Sequence, residues 1–359
     1  MEKIKEEMRK QLESERREKL RREKPLVYEK IMHYSEKEAN GEPVPIIVFA
    51  YDYGCNMHCT HCVNARFAPK DKCLTIEKLK DLSNQADELG IAQFALTGGE
   101  PLTFPELDDI VAAIDPQKFQ IAINTNGFLL TKEWARHLKE IGVDKMQISL
   151  DSLNEDIYNQ TRQKDGAYSK ALQAIMDAKE VGLQVSIQTL ITHQNCISKD
   201  TERMAQFAHE HGMNMDIMNA KAVGRWEGNE EVLLTPEDSE YLVHLRNQYP
   251  EVNRDIFPAY GKCGSCNAVN RNIGITKYGD VLPCPYIHIS IGNVFEESLK
   301  DILSRGMRIK WFHDIHPSCL AGEDFDFIRG YMSKFYGKSL PITWKDAFTE
   351  KDFIDGIMA

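Results

Sequence analysis

One hydrophobic pattern recurs along the chain from residue 46 to residue 219. Each repeat has a short apolar run, a polar turn, an amphipathic stretch and a glycine, and the apolar runs read IIVFAY, QFAL, FQIAIN, KMQISL, QVSIQTLI and NMDIMN. This alternation predicts six strand–helix units. Such units form a parallel sheet with helices outside it, as a doubly wound sheet or as a barrel, and place the chemistry at the carboxyl ends of the strands.

The first amphipathic stretch, TIEKLKDLSNQADELG, shows the helical part of the pattern. Its apolar residues recur at the spacing of one helix face, with Thr75 as the predicted N-cap and Gly90 as the predicted stop. The later stretches are predicted to stop at Gly142, Gly182 and Gly212, since glycine suits the left-handed conformation that often ends a helix.

Both flanks of this region differ from it. Residues 1–24 contain ten Lys or Arg and seven Glu, which predicts a charged surface helix. We interpret it as a solvated arm; the alternatives are a lid, a contact with a partner protein and a contact with a membrane surface. After residue 220 the strand–helix rhythm fades, and a second region with differently spaced cysteines begins near residue 260.

Composition narrows the class of protein. A chain of 359 residues with 42% hydrophobic content can bury a large core, and a net charge of −11 argues against a nucleic-acid partner. No apolar run approaches the roughly 18 residues of a membrane span, and the N-terminus has no signal-peptide core, so we expect no transmembrane segment and a cytoplasmic location. In a reducing compartment, nine cysteines indicate metal ligands, catalytic thiols or core residues.

The stretch YGCNMHCTHC places Cys55, Cys59 and Cys62 in a C-x3-C-x2-C pattern just after the first predicted strand. Thiolates are the soft ligands of iron–sulfur clusters, and three of them can hold a cubane cluster while leaving one iron free. Zinc is the alternative, but a closed zinc site takes four ligands, and His58 or His61 would complete it only in a cramped loop. A free iron can bind a substrate or a cofactor.

This loop resembles that of the radical S-adenosylmethionine (SAM) enzymes, in which it follows the first strand of a partial six-unit barrel. The segment TGGEP after the second strand strengthens the resemblance, which covers roughly residues 44–225. In the family the Gly-Gly-Glu segment receives the methionine amino group of SAM, which implies this role for Gly98, Gly99 and Glu100. Glycines allow close backbone approach, and a carboxylate suits an ammonium group.

The resemblance implies further SAM contacts. NTNG ends the third strand at Asn124, and SLD ends the fourth strand at Ser149. Relatives use a polar residue at the position of Ser149, often with a following arginine, to hold the methionine carboxylate, and Arg162 is the weaker candidate for that arginine. His61 occupies the usual aromatic position, where the backbone faces adenine. The implied reaction is reductive cleavage of SAM to methionine and a 5′-deoxyadenosyl radical, which abstracts hydrogen from an unactivated carbon.

A second cysteine group reads CGSCNAVNRNIGITKYGDVLPC and supplies Cys263, Cys266 and Cys284, with Cys319 further on. A zinc ribbon is one interpretation. After a radical SAM core, however, the group resembles the SPASM or twitch extension, whose cysteines bind auxiliary iron–sulfur clusters. A full SPASM domain has a further cysteine-dense run, whereas here only Cys319 follows. We therefore expect one auxiliary [4Fe-4S] cluster held by four cysteines.

The resemblance implies five parts. We predict a charged helical arm (1–43), a partial (β/α)6 radical SAM barrel (44–225), a linker (226–259), a twitch- or SPASM-like module (260–322) and a C-terminal helical tail (323–359). The fold class is thus α/β with a small cluster-binding module after the barrel.

Three functions stay open at this stage. An auxiliary cluster suits electron transfer, and hydrogen abstraction followed by loss of an electron and a proton is a two-electron oxidation. That outcome fits peptide maturation, or oxidation or rearrangement of a small molecule such as a sugar, aminocyclitol, nucleoside or lipid precursor. An external donor such as flavodoxin or ferredoxin would supply electrons. The third alternative is an iron–sulfur electron carrier or scaffold, against which the Gly-Gly-Glu segment argues.

Two cysteines and one later segment complete the candidates. Cys73 and Cys196 stand alone, and a lone cysteine is usually a small buried hydrophobe. Either could instead donate a hydrogen atom to a substrate radical, and Cys73, the nearer to the triplet in sequence, is the candidate catalytic residue. The segment AVGRWEGNEE is either a linker or a pocket wall formed by Arg225, Trp226 and Glu227.

Overall fold

The computed structural model describes residues 14–15, 17–254, 256 and 264–356. The strands are β1 (Ile46–Ala50), β2 (Gln93–Thr97), β3 (Gln120–Thr125), β4 (Lys145–Ser149), β5 (Gln184–Ile191), β6 (Asn214–Asn219), β7 (Val252–Arg254), β8 (Asn272–Ile275), β9 (Asp280–Leu282), β10 (Ile289–Ser290), β11 (Gly292–Asn293) and β12 (Ile342–Thr343). The α-helices are α1 (Pro25–Met32), α2 (Tyr34–Ala39), α3 (Ile76–Glu88), α4 (Leu107–Ile114), α5 (Lys132–Glu140), α6 (Glu155–Arg162), α7 (Ala167–Val181), α8 (His193–Cys196), α9 (Lys199–Glu210), α10 (Pro236–Gln248), α11 (Leu299–Arg308), α12 (Lys310–His313), α13 (Phe325–Gly330) and α14 (Trp344–Ala347).

Ten strands form one sheet in the order β11-β9-β8-β1-β2-β3-β4-β5-β6-β7. The six predicted strands are β1 to β6, and each pairs in parallel with the next. The α/β prediction is therefore confirmed, and the carboxyl ends of these strands share one edge of the sheet.

Side chains cross the strands on one face of the sheet. The Nζ atom of Lys145 on β4 lies 3.2 Å from Oδ2 of Asp216 on β6, so the contact passes over β5. On β3, Ile121 and Ile123 are fully buried, whereas the alternate residue Asn124 is half-buried. Because successive strand residues point to opposite faces, Ile121 and Ile123 share the buried face of β3 and Asn124 lies on the opposite face.

Helix boundaries follow the predicted signals. Thr75 accepts a hydrogen bond from the backbone nitrogen of Lys78, as an N-cap should. Gly90 adopts a φ of 70°, and Gly142, Gly182 and Gly212 also have positive φ values. These four glycines therefore take the conformation that the sequence predicted for helix stops.

The span 226–259, predicted as a linker, has regular structure in its described part. Helix α10 begins at the N-cap Thr235, and β7 pairs in parallel with β6. The span predicted as a linker therefore contributes a parallel strand beside β6.

The cysteine-rich region belongs to the same sheet. Strand β8 pairs in parallel with β1, and β9 and β11 follow in antiparallel pairing. The C-terminal segment packs onto this region: β12 pairs with β10, and Phe327, Phe335 and Phe348 are almost fully buried. The predicted helical tail thus also contains a strand.

The described end of the charged arm is anchored. Residues 17–23 are helical, and Lys24 then contacts Asp144 at 2.5 Å and the carbonyl of Phe119 at 3.0 Å. Val27 of α1 is fully buried. None of the helices in the described ranges is both long enough and apolar enough to cross a bilayer.

Candidate active site

The cysteine triplet lies in the long loop between β1 and α3. Cys55 is exposed, and Cys59 and Cys62 are half-buried. Burial raises the pKa of the Cys55 and Cys62 thiols, and the neighbouring Cys59 acts in the same direction on both. The three thiols therefore influence one another in one short loop at the carboxyl edge of the sheet, where a shared cluster can form.

Two glycines let the loop after β2 pack against the start of this cysteine loop. A Cβ atom on Gly98 would lie 2.1 Å from the carbonyl oxygen of Asp52, and one on Gly99 would lie 1.8 Å from that of Gly54. The backbone nitrogens of Gly99 and Glu100 donate to the same two carbonyls at 2.9 and 2.8 Å. Both glycines thus allow two loops to pack closely together. Their predicted role in the close approach of the backbone to SAM is a separate one.

The side chain of Glu100 is buried and joins the loop after β2 to the end of β3 and the loop that follows it. Its Oε1 accepts hydrogen bonds from the hydroxyl of Thr125 at 2.5 Å and from the nitrogen of Leu102 at 3.2 Å. Its Oε2 accepts one from the nitrogen of Asn126 at 2.8 Å. Burial raises the pKa of Glu100, and the three donors act against that effect. Because a carboxylate oxygen has two lone pairs, Oε2 keeps room for one further donor, such as an ammonium group.

Arg162 comes from the end of α6 and points back to the triplet. Its Nη1 lies 3.8 Å from Sγ of Cys59, and its Nη2 lies 2.5 Å from Oδ2 of Asp151. Its guanidinium stacks 5.3 Å from the centre of the Tyr158 ring, and the hydroxyl of Tyr158 donates to the carbonyl of Ser149. The two candidates for the methionine carboxylate, Ser149 and Arg162, are thus linked through Tyr158.

His61 packs against the segment after β6. Its ring lies 5.7 Å from that of Trp226. Burial lowers the pKa of His61 to about 4, and the positive charge of Arg162 acts in the same direction. The ring is therefore neutral at pH 7 and serves as an aromatic surface.

Unpartnered buried polar atoms test whether these residues fit a polar cofactor. Nδ2 of Asn56, Nδ1 of His61, Oδ1 of Asn124 and Nε of Arg162 have no hydrogen-bond partner within the described ranges. Buried polar groups are normally paired, so such a group of donors and acceptors around a cysteine loop is suited to a ligand with amino, carboxylate and adenine groups. The residues fit SAM and a cluster bound beside it.

The segment after β6 closes over the cysteine loop. A Cβ on Gly224 would lie 2.3 Å from the carbonyl oxygen of Cys62, and the nitrogen of Arg225 donates to that oxygen at 3.1 Å. Glu227 pairs with Arg66 and accepts from the nitrogen of Gly337. The segment is therefore packed on the triplet loop.

The second cysteine group also converges. Burial raises the pKa of the Cys284 thiol well above its usual range, and the nearby Cys319 and Cys266 act in the same direction. The nitrogen of Cys266 donates to the carbonyl of His316 at 2.8 Å. Cys263 lies outside the described residues. Cys284 thus lies within electrostatic reach of Cys266 and Cys319, and the role of all four cysteines as ligands stays a prediction.

A charged pair supports Cys319. Oε2 of Glu323 accepts from the nitrogen of Cys319 at 3.0 Å and lies 2.7 Å from Nη2 of Arg254, at the end of β7. Both side chains are buried, and the hydroxyl of Ser239 on α10 also donates to Glu323. Through Glu323, Arg254 at the end of β7 and Ser239 on α10 therefore fix the position of the loop of Cys319.

The lone cysteines lie elsewhere. Cys73 is half-buried, and the next residue, Leu74, donates its backbone N–H to the carbonyl of Lys277 after β8. Cys196 is fully buried, and burial raises its pKa to about 12. Cys196 therefore has the surroundings of a core residue, and the role of Cys73 stays a prediction.

Sequence reasoning missed several residues that organise the site, namely Asn56, Asn126, Asp151, Tyr158 and Lys221. Asn126 stands in the NTNG motif and Asp151 in SLD, so both motifs contained the signal. Tyr158 contacts Ser149 and Arg162, which are near it in sequence, but no motif indicated these contacts. Lys221 contacts Tyr286, which is distant in sequence.

Two family patterns match the chain. The pattern described as the Radical SAM superfamily matches residues 52–208, and the SPASM pattern, described as an iron-sulfur cluster-binding domain, matches residues 263–321.

Similar proteins span much of the chain. GTP 3',8-cyclase from Aliarcobacter butzleri is 27% identical over 278 residues, or 69% of this chain and 82% of the relative. PqqA peptide cyclase from Streptomyces rochei is 28% identical over 280 residues, or 74% of this chain and 76% of the relative. The crystal structure of Streptococcus suis SuiB bound to precursor peptide SuiA has a TM-score of 0.58 at 17% identity and covers 76% of this chain and 67% of that one. The similarity to SuiB shows that the two chains share a fold.

The chain therefore contains a radical SAM domain over residues 52–208 and a SPASM iron–sulfur cluster-binding domain over residues 263–321. Its cofactors are SAM, a [4Fe-4S] cluster with an open iron site and an auxiliary iron–sulfur cluster, as predicted from the two cysteine groups.

Proposed function

We propose that this radical SAM enzyme oxidises a peptide by two electrons, either by dehydrogenation or by forming a new bond within it. Its bound cofactors would supply a 5′-deoxyadenosyl radical by reductive cleavage of SAM. The peptide would lose one hydrogen atom to that radical, then one electron to the auxiliary cluster and one proton to solvent or a base. These losses sum to a two-electron oxidation.

The residues of the first site would bind and orient. Cys55, Cys59 and Cys62 would hold the open-site cluster, and Oε2 of Glu100 would accept the methionine ammonium. Asn124 and Ser149 would hydrogen-bond to SAM. Because Arg162 is already paired with Asp151 and faces Cys59, it remains the weaker candidate for the methionine carboxylate.

One observation carries the electron-transfer part of this proposal. The segment 219–225 contacts both cysteine groups: Arg225 donates to the carbonyl of Cys62, and Ala220 and Lys221 pack against Gly322 in the loop of Cys319. A substrate radical formed beside the first cluster would thus be separated from the auxiliary module by one short segment. We propose Cys263, Cys266, Cys284 and Cys319 as ligands of a single auxiliary cluster.

Relatives support the substrate class. The name of PqqA peptide cyclase indicates a peptide substrate, and the SuiB structure contains a bound precursor peptide. A small-molecule substrate is the second candidate, because GTP 3',8-cyclase is similar over 82% of its length. A flavodoxin or ferredoxin would reduce the first cluster, and we place the enzyme in the cytoplasm.

The test compares substrates directly. Anaerobically reconstituted enzyme is incubated with SAM and reduced flavodoxin, and with a precursor peptide encoded beside its gene, with GTP, or with neither. We expect the peptide alone to increase 5′-deoxyadenosine formation and to lose two hydrogens by mass spectrometry. Product from GTP alone would favour the second candidate, and no 5′-deoxyadenosine under any condition would favour an electron carrier or scaffold.

The auxiliary ligands are tested with the Cys319→Ala variant in the same assay. It should retain part of the SAM cleavage but form no oxidised product, because the substrate radical loses its electron acceptor. Unchanged product yield with half the iron would refute the electron-transfer role.

A further inference from the structure

Lys221 is a buried lysine between β6 and α10. It is 6% exposed, its Nζ donates to the carbonyl of Asn219 at 2.7 Å, and it lies 4.5 Å from the centre of the Tyr286 ring. Neither group carries a negative charge, and no carboxylate in the described part of the chain forms an ion pair with Lys221. A buried ammonium without a counter-charge is costly, so this position calls for an anionic group beside it.

Two segments of the auxiliary module lie next to Lys221. Tyr286 stands two residues after Cys284, and a Cβ on Gly322, three residues after Cys319, would lie 3.6 Å from Cε of Lys221. The charge of Lys221 also acts on the Cys284 thiol, in the direction opposite to burial. The ammonium therefore lies within electrostatic reach of Cys284, and its side chain packs beside the loop of Cys319.

The other buried charges near Cys319 are already compensated. Arg254 and Glu323 form an ion pair at 2.7 Å, so together they add little net charge. Of these three buried charges beside the loop of Cys319, Lys221 is thus the one that has no ion-pair partner in the described part of the chain.

We propose that Lys221 is a positioning residue for electron transfer, which raises the reduction potential of the auxiliary cluster by placing a positive charge beside it. The inference rests on the proposed ligand role of Cys284 and Cys319. A cubane with four thiolates is anionic, and reduction adds a further negative charge. The potential of such a cluster depends on nearby charge and on burial, so a buried ammonium stabilises the reduced form. It thereby makes the cluster a better acceptor for the electron of a substrate radical.

The test is a potentiometric titration of the reconstituted enzyme, followed by electron paramagnetic resonance and without substrate. Lys221→Met removes the charge and keeps the length of the side chain, whereas Lys221→Arg keeps the charge. Lys132→Met removes the same charge from the start of α5, where Lys132 is half-buried and pairs with Glu180, and is the control for loss of a lysine charge elsewhere. We expect Lys221→Met to shift the reduction equilibrium of the auxiliary cluster at least tenfold toward the oxidised form, which is about 59 mV for one electron. Lys221→Arg and Lys132→Met should titrate like wild type.

Iron content separates the possible failures. Wild type with about four irons per chain, the content of one cubane, would refute the auxiliary cluster itself and with it the proposed function. Full iron content with an unchanged potential in Lys221→Met would overturn only the role of Lys221. If Lys221→Met loses iron, Lys221→Arg decides: retention of iron in Lys221→Arg supports a role for the charge, and loss in both variants overturns it.

Discussion

The backbone nitrogen of Asn126 donates a 2.8 Å hydrogen bond to Oε2 of Glu100, so the loops after β2 and β3 meet at one buried carboxylate. The same carboxylate binds the hydroxyl of Thr125. Glu100 therefore stabilises the loops around the cysteine triplet and also offers a remaining lone pair to a ligand. The predicted binding role and the observed structural role thus fall on the same residue.

We predict that Glu100→Gln lowers both stability and SAM cleavage. The amide keeps the shape of the side chain but turns an NH2 group toward donors, which costs about 1–3 kcal/mol of unfolding free energy for an unsatisfied buried group. Urea unfolding and 5′-deoxyadenosine formation measure the two effects. Exposed Glu106→Gln is the matched control. Wild-type values of both quantities in Glu100→Gln would contradict the role of this carboxylate.

Gly99→Ala should displace the cysteine loop, because a Cβ there would lie 1.8 Å from the carbonyl oxygen of Gly54. Wild type should bind about eight irons per chain, from two clusters of four, and the variant should bind about four. Gly330→Ala is the control, since its Cβ would meet no atom within 4 Å. A full iron content in Gly99→Ala would show that the loop tolerates the displacement.

The pair of Arg162 and Asp151 should behave as a buried ion pair. Arg162→Met leaves Asp151 without its cation and should cost about 3–5 kcal/mol, whereas Arg162→Met with Asp151→Asn should recover part of that loss. The exposed pair of Arg329 and Glu230 provides the comparison, and Arg329→Met should cost less than about 1 kcal/mol. Chemical denaturation checks all three, and equal losses for Arg162→Met and Arg329→Met would contradict the account.

The strand–helix units were predictable because their signals are local. Alternating apolar runs specified β1 to β6, and Thr75 and Gly90 marked the ends of one helix as observed. The sequence did not predict β7, because its three residues, VNR, carry too short a pattern and become a strand only by pairing with β6. The pairing of β8 with β1 was missed for a similar reason, since it joins residues more than 200 positions apart.

The candidate site shows the same division. The cysteine triplet and the Gly-Gly-Glu segment are continuous motifs, so the sequence indicated them directly. By contrast, the contacts of Arg162 with Cys59 and of Lys221 with Tyr286 join elements that are distant in sequence, and a sequence carries no local record of such contacts.

His288 should make stability depend on pH. It is fully buried between the rings of Phe67 and Phe335, and burial lowers its pKa from 6.5 to about 4. The unfolded chain therefore binds a proton that the folded protein does not, and stability falls as pH falls through this window, by about 1.4 kcal/mol per unit. His288→Phe should reduce the loss between pH 6.5 and 5.5 in urea unfolding. The same substitution at exposed His313 is the control. If His288→Phe loses as much unfolding free energy between pH 6.5 and 5.5 as wild type, other groups cause the pH dependence.

The most direct test of the account is the amount of 5′-deoxyadenosine formed when reduced, reconstituted protein is given SAM. We expect wild type to form it, Cys59→Ala to form none, and Cys319→Ala to form an intermediate amount, because only the first cysteine group would hold the cluster that binds SAM. Wild-type formation of 5′-deoxyadenosine in Cys59→Ala would contradict the account.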